Sequence, residues 1–303
     1  VSLYFSLLLY AIINKCNPEK PVMQENSGIE PAKKKLIDIE RVFSEKNPRL
    51  AKLIPGFVFG YLKRVIHQNT LNDTLDRYKD KMGLDFIDLI LKEFGVKIVV
   101  EGIENLPAEG RYIVAANHPL GGIDGMALMK VVGSVRKDIL FPVNDLLLYL
   151  PNLKPLFIPI NKHGRNVDNI RIFDETFASD VAVLYFPAGI CSRKVKGKIV
   201  DLDWKKTFIN RAKKFKRDVI PVYIRGRNSN FFYNLANWRV RLGIKANIEM
   251  LYLVDEMFKQ KNKEILIRIG KPVPYKFFDS SKKDAAWAEY MKEHVYSLSG
   301  QEP

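Results

Sequence analysis

A histidine and an aspartate lie close together in the stretch AANHPLGGIDG, which runs from Ala115 to Gly125. Five residues separate His118 from Asp124. Near neutral pH an imidazole can accept a proton and return it, and a carboxylate on its other ring nitrogen fixes the tautomer and stabilises the imidazolium. The pair therefore predicts general-base catalysis. The alternative is that Asp124 only caps a helix beginning near Gly125, while His118 is satisfied within a turn.

The chain has no G-x-S-x-G sequence, which would place a serine nucleophile on a strand-to-helix turn. The proton accepted by His118 is therefore expected to come from the hydroxyl of a bound substrate. Cys191 and Ser192 remain as candidate nucleophiles, and they keep a hydrolase open as an alternative.

The elements that would position this pair follow from the hydrophobic pattern beyond Val96, where short β-branched runs alternate with helical ones. The candidate strands are VKIVVEG, RYIVAAN, DILFPV, LFIPIN, VAVLYFP, VIPVYIRG and EILIRIGKPV. The intervening helices are GMALMKVVGSVR, NVDNIRIFDETFA, WKKTFINRAKKFKR and FFYNLANWRVRLGI. This alternation predicts an α/β fold with a mostly parallel central sheet flanked by helices.

Side chains that could take part in catalysis or binding follow three of these strands. Ligands bind at the carboxyl ends of the strands in parallel sheets. His118 follows RYIVAAN. Lys162 and Arg165 follow the strand LFIPI, and Ser192, Arg193 and Lys194 follow the strand VAVLYFP. We expect a base with its carboxylate partner beside two cationic loops.

The chain divides into four predicted parts. Residues 1–35 form a tail or linker, 36–95 a helical segment, 96–280 the α/β domain and 281–303 a helical C-terminal tail. In the helical segment, the apolar residues of IPGFVFGYLKRVIHQ recur at three- and four-residue steps. That helix is expected either to face a membrane or to pack against the core.

The N-terminal stretch VSLYFSLLLYAII is apolar for only 13 residues, whereas a membrane span needs about 20. It has neither a basic region before it nor a clear cleavage site after it, so it is a poor signal peptide. We interpret residues 1–22 as a mis-assigned start before Met23 or as a weak surface anchor. No transmembrane helix is evident elsewhere in the sequence.

The composition limits the partners. Lysine and arginine number 49 against 34 aspartates and glutamates, which gives a net charge of +15. This balance favours an anionic partner such as a lipid surface, a phosphorylated substrate or nucleic acid. The two cysteines suggest a reducing compartment. The four histidines have no metal-ligand spacing, so we expect no metal site.

Four blocks in order, GIENLPAEGRYIVAANHP with the following DG, FPAGICSRK, VIPVYIRG and IRIGKPV, resemble the glycerolipid acyltransferase superfamily. This superfamily includes 1-acyl-glycerol-3-phosphate and lysophospholipid acyltransferases, and the resemblance covers roughly residues 96–275. NHPLGGIDG and FPAG are most similar to its bacterial haemolysin-like branch, some of whose members O-acylate lipids based on amino acids.

The resemblance implies a mechanism. His118 would activate an acceptor hydroxyl, Asp124 would orient it, and the hydroxyl would attack an acyl thioester directly. The donor would be acyl-ACP or acyl-CoA, with no further cofactor. The resemblance also implies acceptor binding by the residues Gly189, Ser192, Arg193 and Lys194, with Lys162 and Arg165 supplying the cation of the family's second block.

Two departures from the family pattern bear on the substrate. The family usually has four residues between the histidine and the aspartate, and here there are five. Ala188 stands where the family commonly has a glutamate, which removes a hydrogen-bond acceptor from the predicted acceptor site. Lysophosphatidic acid is therefore less well supported as the acceptor, and the sequence leaves open whether the acceptor is a lysophospholipid or an acylated amino-acid lipid.

Three interpretations compete. The first is a peripheral acyltransferase of phospholipid or related lipid biosynthesis, on the cytoplasmic side of an anionic membrane. The second is a lipid hydrolase that uses Ser192 or Cys191 as the nucleophile. The third is a basic nucleic-acid-binding module, although no nucleic-acid motif is present and we expect no such partner. KKTFINRAKKFKR, with seven basic residues in thirteen, fits either a membrane-surface helix or a sheet-covering one.

Overall fold

Helices form the first part of the chain. The computed structural model describes residues 37–300, except 47, 144–149, 160–166 and 246. The first five helices are α1 (Ile39–Lys46), α2 (Pro48–Leu53), α3 (Gly56–Val65), α4 (Gln68–Arg77) and α5 (Gly83–Glu93). None of the helices in the described ranges is long and apolar enough to cross a bilayer.

A seven-stranded sheet follows these helices. The strands of the fold are β1 (Lys97–Glu101), β2 (Tyr112–Ala116), β3 (Ile139–Val143), β4 (Phe157–Pro159), β5 (Ala182–Tyr185), β6 (Arg193–Val195), β7 (Lys198–Val200), β8 (Asp218–Arg225) and β9 (Glu264–Ile269). The sheet order is β1-β9-β8-β2-β5-β3-β4, while β6 and β7 form a separate antiparallel hairpin. The five strands from β8 to β4 are mutually parallel, and β9 pairs antiparallel with β8. The predicted α/β fold with a mostly parallel sheet is confirmed.

Helices cover both faces of this sheet. The α-helices that follow β1 in the described residues are α6 (Gly122–Val135), α7 (Val167–Ala178), α8 (Thr207–Phe215), α9 (Asn230–Arg241), α10 (Leu253–Phe258) and α11 (Asp284–Ser297), and α9 packs on the hairpin β6–β7 rather than on the sheet. All five residues of β2 are buried, and successive residues point to opposite faces. Val114 belongs to the core shared with α5 and α6, whereas Ile113 belongs to the core shared with α8 and α11. A continuous apolar run is what a strand covered on both faces requires.

The basic helix α8 covers the sheet. Its apolar side chains Phe208, Ile209 and Ala212 are completely buried. Its apolar face is therefore not available to a membrane, and of the two interpretations of KKTFINRAKKFKR the structure favours the sheet-covering one. Two cations on the opposite face, Lys213 and Lys214, make ion pairs with Asp284 and Asp174.

The helix α3 divides its apolar residues between two environments. Phe59, Leu62 and Val65 are buried, and Phe59 packs edge-on against Phe43 of α1. Phe57 is exposed on the other side. One face of this helix therefore packs in the N-terminal helical core, and a smaller apolar surface is left outward.

Candidate active site

The chain leaves the sheet at Asn117, immediately before the candidate base. The buried amide of Asn117 accepts a hydrogen bond from the N–H of Ile224 at 2.7 Å and donates to the carbonyl of Ile224 at 2.9 Å. The side chain thus continues the pairing between β2 and β8 by one residue where the backbone turns away. These two hydrogen bonds hold the backbone in place immediately before His118.

The structure brings His118 and Asp124 together. Nδ1 of His118 lies 3.1 Å from Oδ2 of Asp124. The carboxylate is completely buried. It is the third residue of α6 and also accepts hydrogen bonds from the N–H groups of Leu120, Gly121 and Gly125. Asp124 therefore both caps the helix and contacts the imidazole, so the capping interpretation and the catalytic one are compatible.

The pairing has a chemical consequence for the ring of His118. A carboxylate at Nδ1 favours the tautomer with the proton on that nitrogen, which leaves the lone pair of Nε2 free to accept a proton. The ring stacks on Phe186, just beyond β5, with centroids 4.0 Å apart. The side chain of His118 is 16% exposed, so the ring is held in place yet reachable.

Gly121 accommodates the extra residue between His118 and Asp124. Its φ is +89°, a region that L side chains rarely adopt. A Cβ there would stand 2.5 Å from Cδ1 of Leu253. Glycine at this position lets the turn close without backbone strain or overlap with Leu253, and the Asp124 carboxylate reaches back to the ring.

The loop between β2 and α6, residues 117–121, carries His118, and we call it the catalytic loop. A second buried carboxylate, Asp201, contacts this loop, and the sequence did not indicate it. Its Oδ1 accepts hydrogen bonds from the N–H of His118 at 3.2 Å and from the hydroxyl of Ser192 at 2.6 Å. Its Oδ2 accepts from the indole of Trp204 at 2.9 Å. Burial raises the pKa of Asp201, and the hydrogen bonds from Ser192 and Trp204 oppose that rise. Since Ser192 N–H also donates to the carbonyl of His118, this network holds the loop from two sides.

Neither candidate nucleophile is arranged for attack. The thiol of Cys191 is completely buried, and burial raises its pKa to about 11. The Ser192 hydroxyl is also buried and donates a hydrogen bond to Asp201. A nucleophile needs a base that takes its proton and an open path to the substrate. This geometry does not support the hydrolase alternative.

The predicted binding residue Arg193 is turned inward. Its guanidinium donates to Glu249 at 2.8 Å and to the carbonyl of Cys191 at 2.6 Å, and it is almost wholly buried. Arg239 of α9 pairs with the other oxygen of Glu249 at 2.7 Å. Arg193 therefore ties the segment that carries Cys191 and Ser192 to α9, and its position suits holding that segment better than reaching a substrate.

The remaining predicted binding residues lie in different places. Gly189 is exposed, with a φ of +69°. Lys194 is half-buried on β6, where its carbonyl accepts a hydrogen bond from Asn237. Lys162 and Arg165 lie outside the described residues.

Two bacterial proteins called lyso-glycine lipid O-acyltransferase are similar to this chain over most of its length. The protein from Bacteroides thetaiotaomicron is 49% identical over 265 residues, which is 87% of this chain and 97% of that protein. The protein from Phocaeicola vulgatus is 46% identical over 265 residues, which is 87% of this chain and 95% of that protein.

A solved structure and a family model also match. The crystal structure of the 1-acyl-sn-glycerophosphate (LPA) acyltransferase PlsC from Thermotoga maritima matches with a TM-score of 0.44 and 22% identity, covering 82% of this chain and 95% of that one. The model of a family described as acyltransferase matches residues 41–301. The family model and the two bacterial relatives confirm the resemblance found in the sequence: this chain is an enzyme of the acyltransferase family.

Proposed function

We propose that this acyltransferase moves a fatty acyl group from a thioester donor to the free hydroxyl of an acylated amino-acid lipid. The observation that carries the proposal is the pair of His118 and Asp124 at the end of β2. The pair offers a base with a fixed tautomer, on a ring held by stacking and partly open to the outside. Such a base suits removal of a proton from an alcohol.

The proposed reaction needs no covalent enzyme intermediate. Nε2 of His118 accepts the proton of the acceptor hydroxyl as its oxygen attacks the thioester carbonyl. The new C–O bond forms, the C–S bond then breaks, and the departing thiolate takes the proton from Nε2. Asp124 stabilises the imidazolium between these two transfers. The burial of Cys191 and Ser192 agrees with direct transfer.

For the acceptor, we propose a lyso-glycine lipid. The names of the two bacterial relatives support this choice, at 49% and 46% identity over 87% of the chain. Ala188, which stands where the family commonly has a glutamate, is buried in an apolar cluster. This agrees with an acceptor other than lysophosphatidic acid, and a lysophospholipid is the alternative acceptor.

We further propose acyl-ACP or acyl-CoA as the donor and the cytoplasmic side of the membrane as the place of action, with the enzyme bound peripherally. A lipid acceptor and a net charge of +15 support association with an anionic surface. A thioester donor made in the cytoplasm would meet a lipid acceptor at that boundary.

The experiment that tests the function pairs the purified protein with two acceptors and two donors. Lyso-glycine lipid and lysophosphatidic acid are each incubated with acyl-ACP and acyl-CoA, and the products are identified by mass spectrometry. We expect an ester on the hydroxyl of lyso-glycine lipid, made with at least one donor. Release of free fatty acid with no acylated lipid would instead make the protein a hydrolase and overturn the proposal.

A further inference from the structure

One surface of the molecule combines outward apolar side chains with cations. It consists of the hairpin β6–β7 and the stretch from α9 to Ile248, and we call it the docking face. Trp238 and Leu242 are 61% and 65% exposed. The other exposed large apolar side chains of this face are Val195, Phe231 and Val240.

The helix α9 is apolar on two sides. Phe232, Tyr233 and Ala236 point inward and are buried. On the outer side, Phe231, Leu235, Trp238 and Leu242 follow one another at steps of four, three and four residues, so they share one stripe. An apolar groove of ≈ 340 Å³ runs along this stripe; its further lining residues are Asn234, Arg239, Ile244 and Ile248. A surface helix that needed only to cover the core would have polar residues there.

The docking face carries positive charge and no exposed negative charge of its own. Neither the hairpin, residues 193–200, nor the stretch 230–248 contains an aspartate or glutamate. Exposed cations occur on both parts, namely Lys196, Lys198, Arg241 and Lys245. The next acidic residue, Glu249, is completely buried between Arg193 and Arg239 and gives the surface no negative charge.

We propose that the docking face binds the surface of an anionic lipid bilayer. Trp238, Leu242 and their apolar neighbours would enter the interfacial region, where tryptophan is favoured, while the surrounding cations contact lipid phosphates. A second copy of the chain is disfavoured as the occupant, because a symmetric contact would place cations against cations. The choice of lipid rests on the proposed function, since the acceptor is itself a membrane lipid.

The docking face is joined directly to the candidate active site. The hairpin begins at Arg193, next to Ser192, whose N–H donates to the carbonyl of His118 at 2.7 Å. Ion pairs from Arg193 through Glu249 to Arg239 then connect this loop to α9. Binding through the docking face would therefore place the bilayer against the elements that support the base.

Trp238 provides a direct test, because the other two tryptophans of the chain, Trp204 and Trp287, are buried. The full chain is mixed with vesicles of phosphatidylcholine and phosphatidylglycerol that carry brominated acyl chains, and the tryptophan fluorescence is recorded. We expect partial quenching that the Trp238→Phe variant abolishes. Sedimentation of the protein with these vesicles without quenching of Trp238 would show that another surface binds them.

A charge-reversal pair tests the cations. Each cation near an anionic surface strengthens binding about fivefold, so Arg241→Glu/Lys245→Glu should weaken binding to the same vesicles by about 25-fold or more. The matched control is Lys79→Glu/Lys216→Glu, which reverses two exposed cations elsewhere and should bind far better. Equal loss in both variants would mean that net charge alone controls binding, and it would overturn the proposal.

An activity measurement separates this inference from the proposed function. With acceptor dispersed in detergent, acyl transfer by Arg241→Glu/Lys245→Glu should match that of the wild type, whereas transfer to acceptor in vesicles should fall. Unchanged transfer in vesicles would overturn the docking face while leaving the acyltransfer proposal intact. Preferential binding of duplex DNA over anionic vesicles would overturn the choice of a bilayer.

Discussion

Nδ1 of His118 and Oδ2 of Asp124 lie 3.1 Å apart, at the junction between β2 and α6. The same carboxylate accepts three backbone N–H groups, so every partner of Asp124 in the described structure is a donor. The carboxylate is completely buried, and these backbone hydrogen bonds fix its position. The imidazole therefore has an orienting partner before any substrate arrives.

Replacing Asp124 with asparagine should impair both catalysis and stability. The NH₂ group of asparagine is a donor, and it would face backbone N–H groups that now donate to a carboxylate oxygen. We therefore expect the free energy of unfolding to fall by about 1–3 kcal/mol. Loss of the tautomer lock should lower kcat by roughly 10²–10⁴-fold. Denaturant titration and steady-state kinetics measure the two effects.

The matched control for this variant is Asp85→Asn. Asp85 is also the third residue of its helix, α5, but it is exposed. It should show wild-type turnover and a nearly unchanged free energy of unfolding. A comparable loss of turnover in both variants would mean that a first-turn charge, rather than contact with His118, accounts for the effect.

Gly121→Ala should disturb the turn that brings Asp124 back to His118. Its Cβ would meet Leu253 at 2.5 Å, in addition to the strain of a φ of +89°. Gly110→Ala is the control, because Gly110 has a φ of +82° with nothing near its Cβ. Thermal unfolding should show a larger loss for Gly121→Ala, and kcat should fall only there. Equal behaviour of the two variants would show that strain alone matters.

The seven strands of the main sheet could be predicted because each is a short, nearly continuous apolar run between polar turns. The hairpin β6–β7 was not predicted. Its sequence, RKVKGKIV, mixes basic and apolar residues, and each strand has only three residues, too few to show a strand pattern. Its support comes from α9, which lies far along the chain, through the hydrogen bond from Asn237 to Lys194.

The site could be predicted only where its partners are close in sequence. His118 and Asp124 are six positions apart, and a local turn brings them together. Asp201 contacts His118 across 83 positions, and no short pattern marks it. The burial of Arg193 could not be predicted from the sequence either, because it depends on Glu249, which lies 56 positions away. An arginine in a predicted binding loop is indistinguishable, in sequence, from one that holds the loop.

Asp201 is expected to act as a positioning residue. In Asp201→Asn, at least one of the donors from His118, Ser192 and Trp204 would lose its acceptor, and the catalytic loop should loosen. We expect kcat to fall about tenfold with little change in KM, since a misplaced base costs rate more than binding. The control is Asp203→Asn, an exposed neighbour that should leave both constants unchanged. A rise in KM at constant kcat would instead indicate contact with substrate.

The thiol of Cys191 should be inert in the folded enzyme. With its pKa raised to about 11, about 0.1% would be thiolate at pH 8, and burial blocks access as well. In a Cys16→Ser background, a maleimide should label the protein at pH 8 only after unfolding. Cys191→Ala should retain turnover. Rapid labelling of the native protein together with an inactive Cys191→Ala variant would restore a thiol nucleophile.

The chain contains a useful comparison for the proposed base. His67 also pairs with an aspartate, Asp255, at 3.0 Å, and it stacks on Phe258 with centroids 4.0 Å apart. This second pair joins the N-terminal helices to α10. Asparagine is the matched replacement for both histidines, because it has no basic nitrogen and tolerates the positive φ of His67.

The most direct test is the turnover of His118→Asn beside that of His67→Asn, measured as acyl transfer to lyso-glycine lipid with both proteins shown to be folded by circular dichroism. A general base contributes about 10²–10⁴-fold, so kcat should fall by at least about 100-fold in His118→Asn and stay close to wild type in His67→Asn. Turnover by folded His118→Asn within about tenfold of the wild type would contradict the role of His118 as the base.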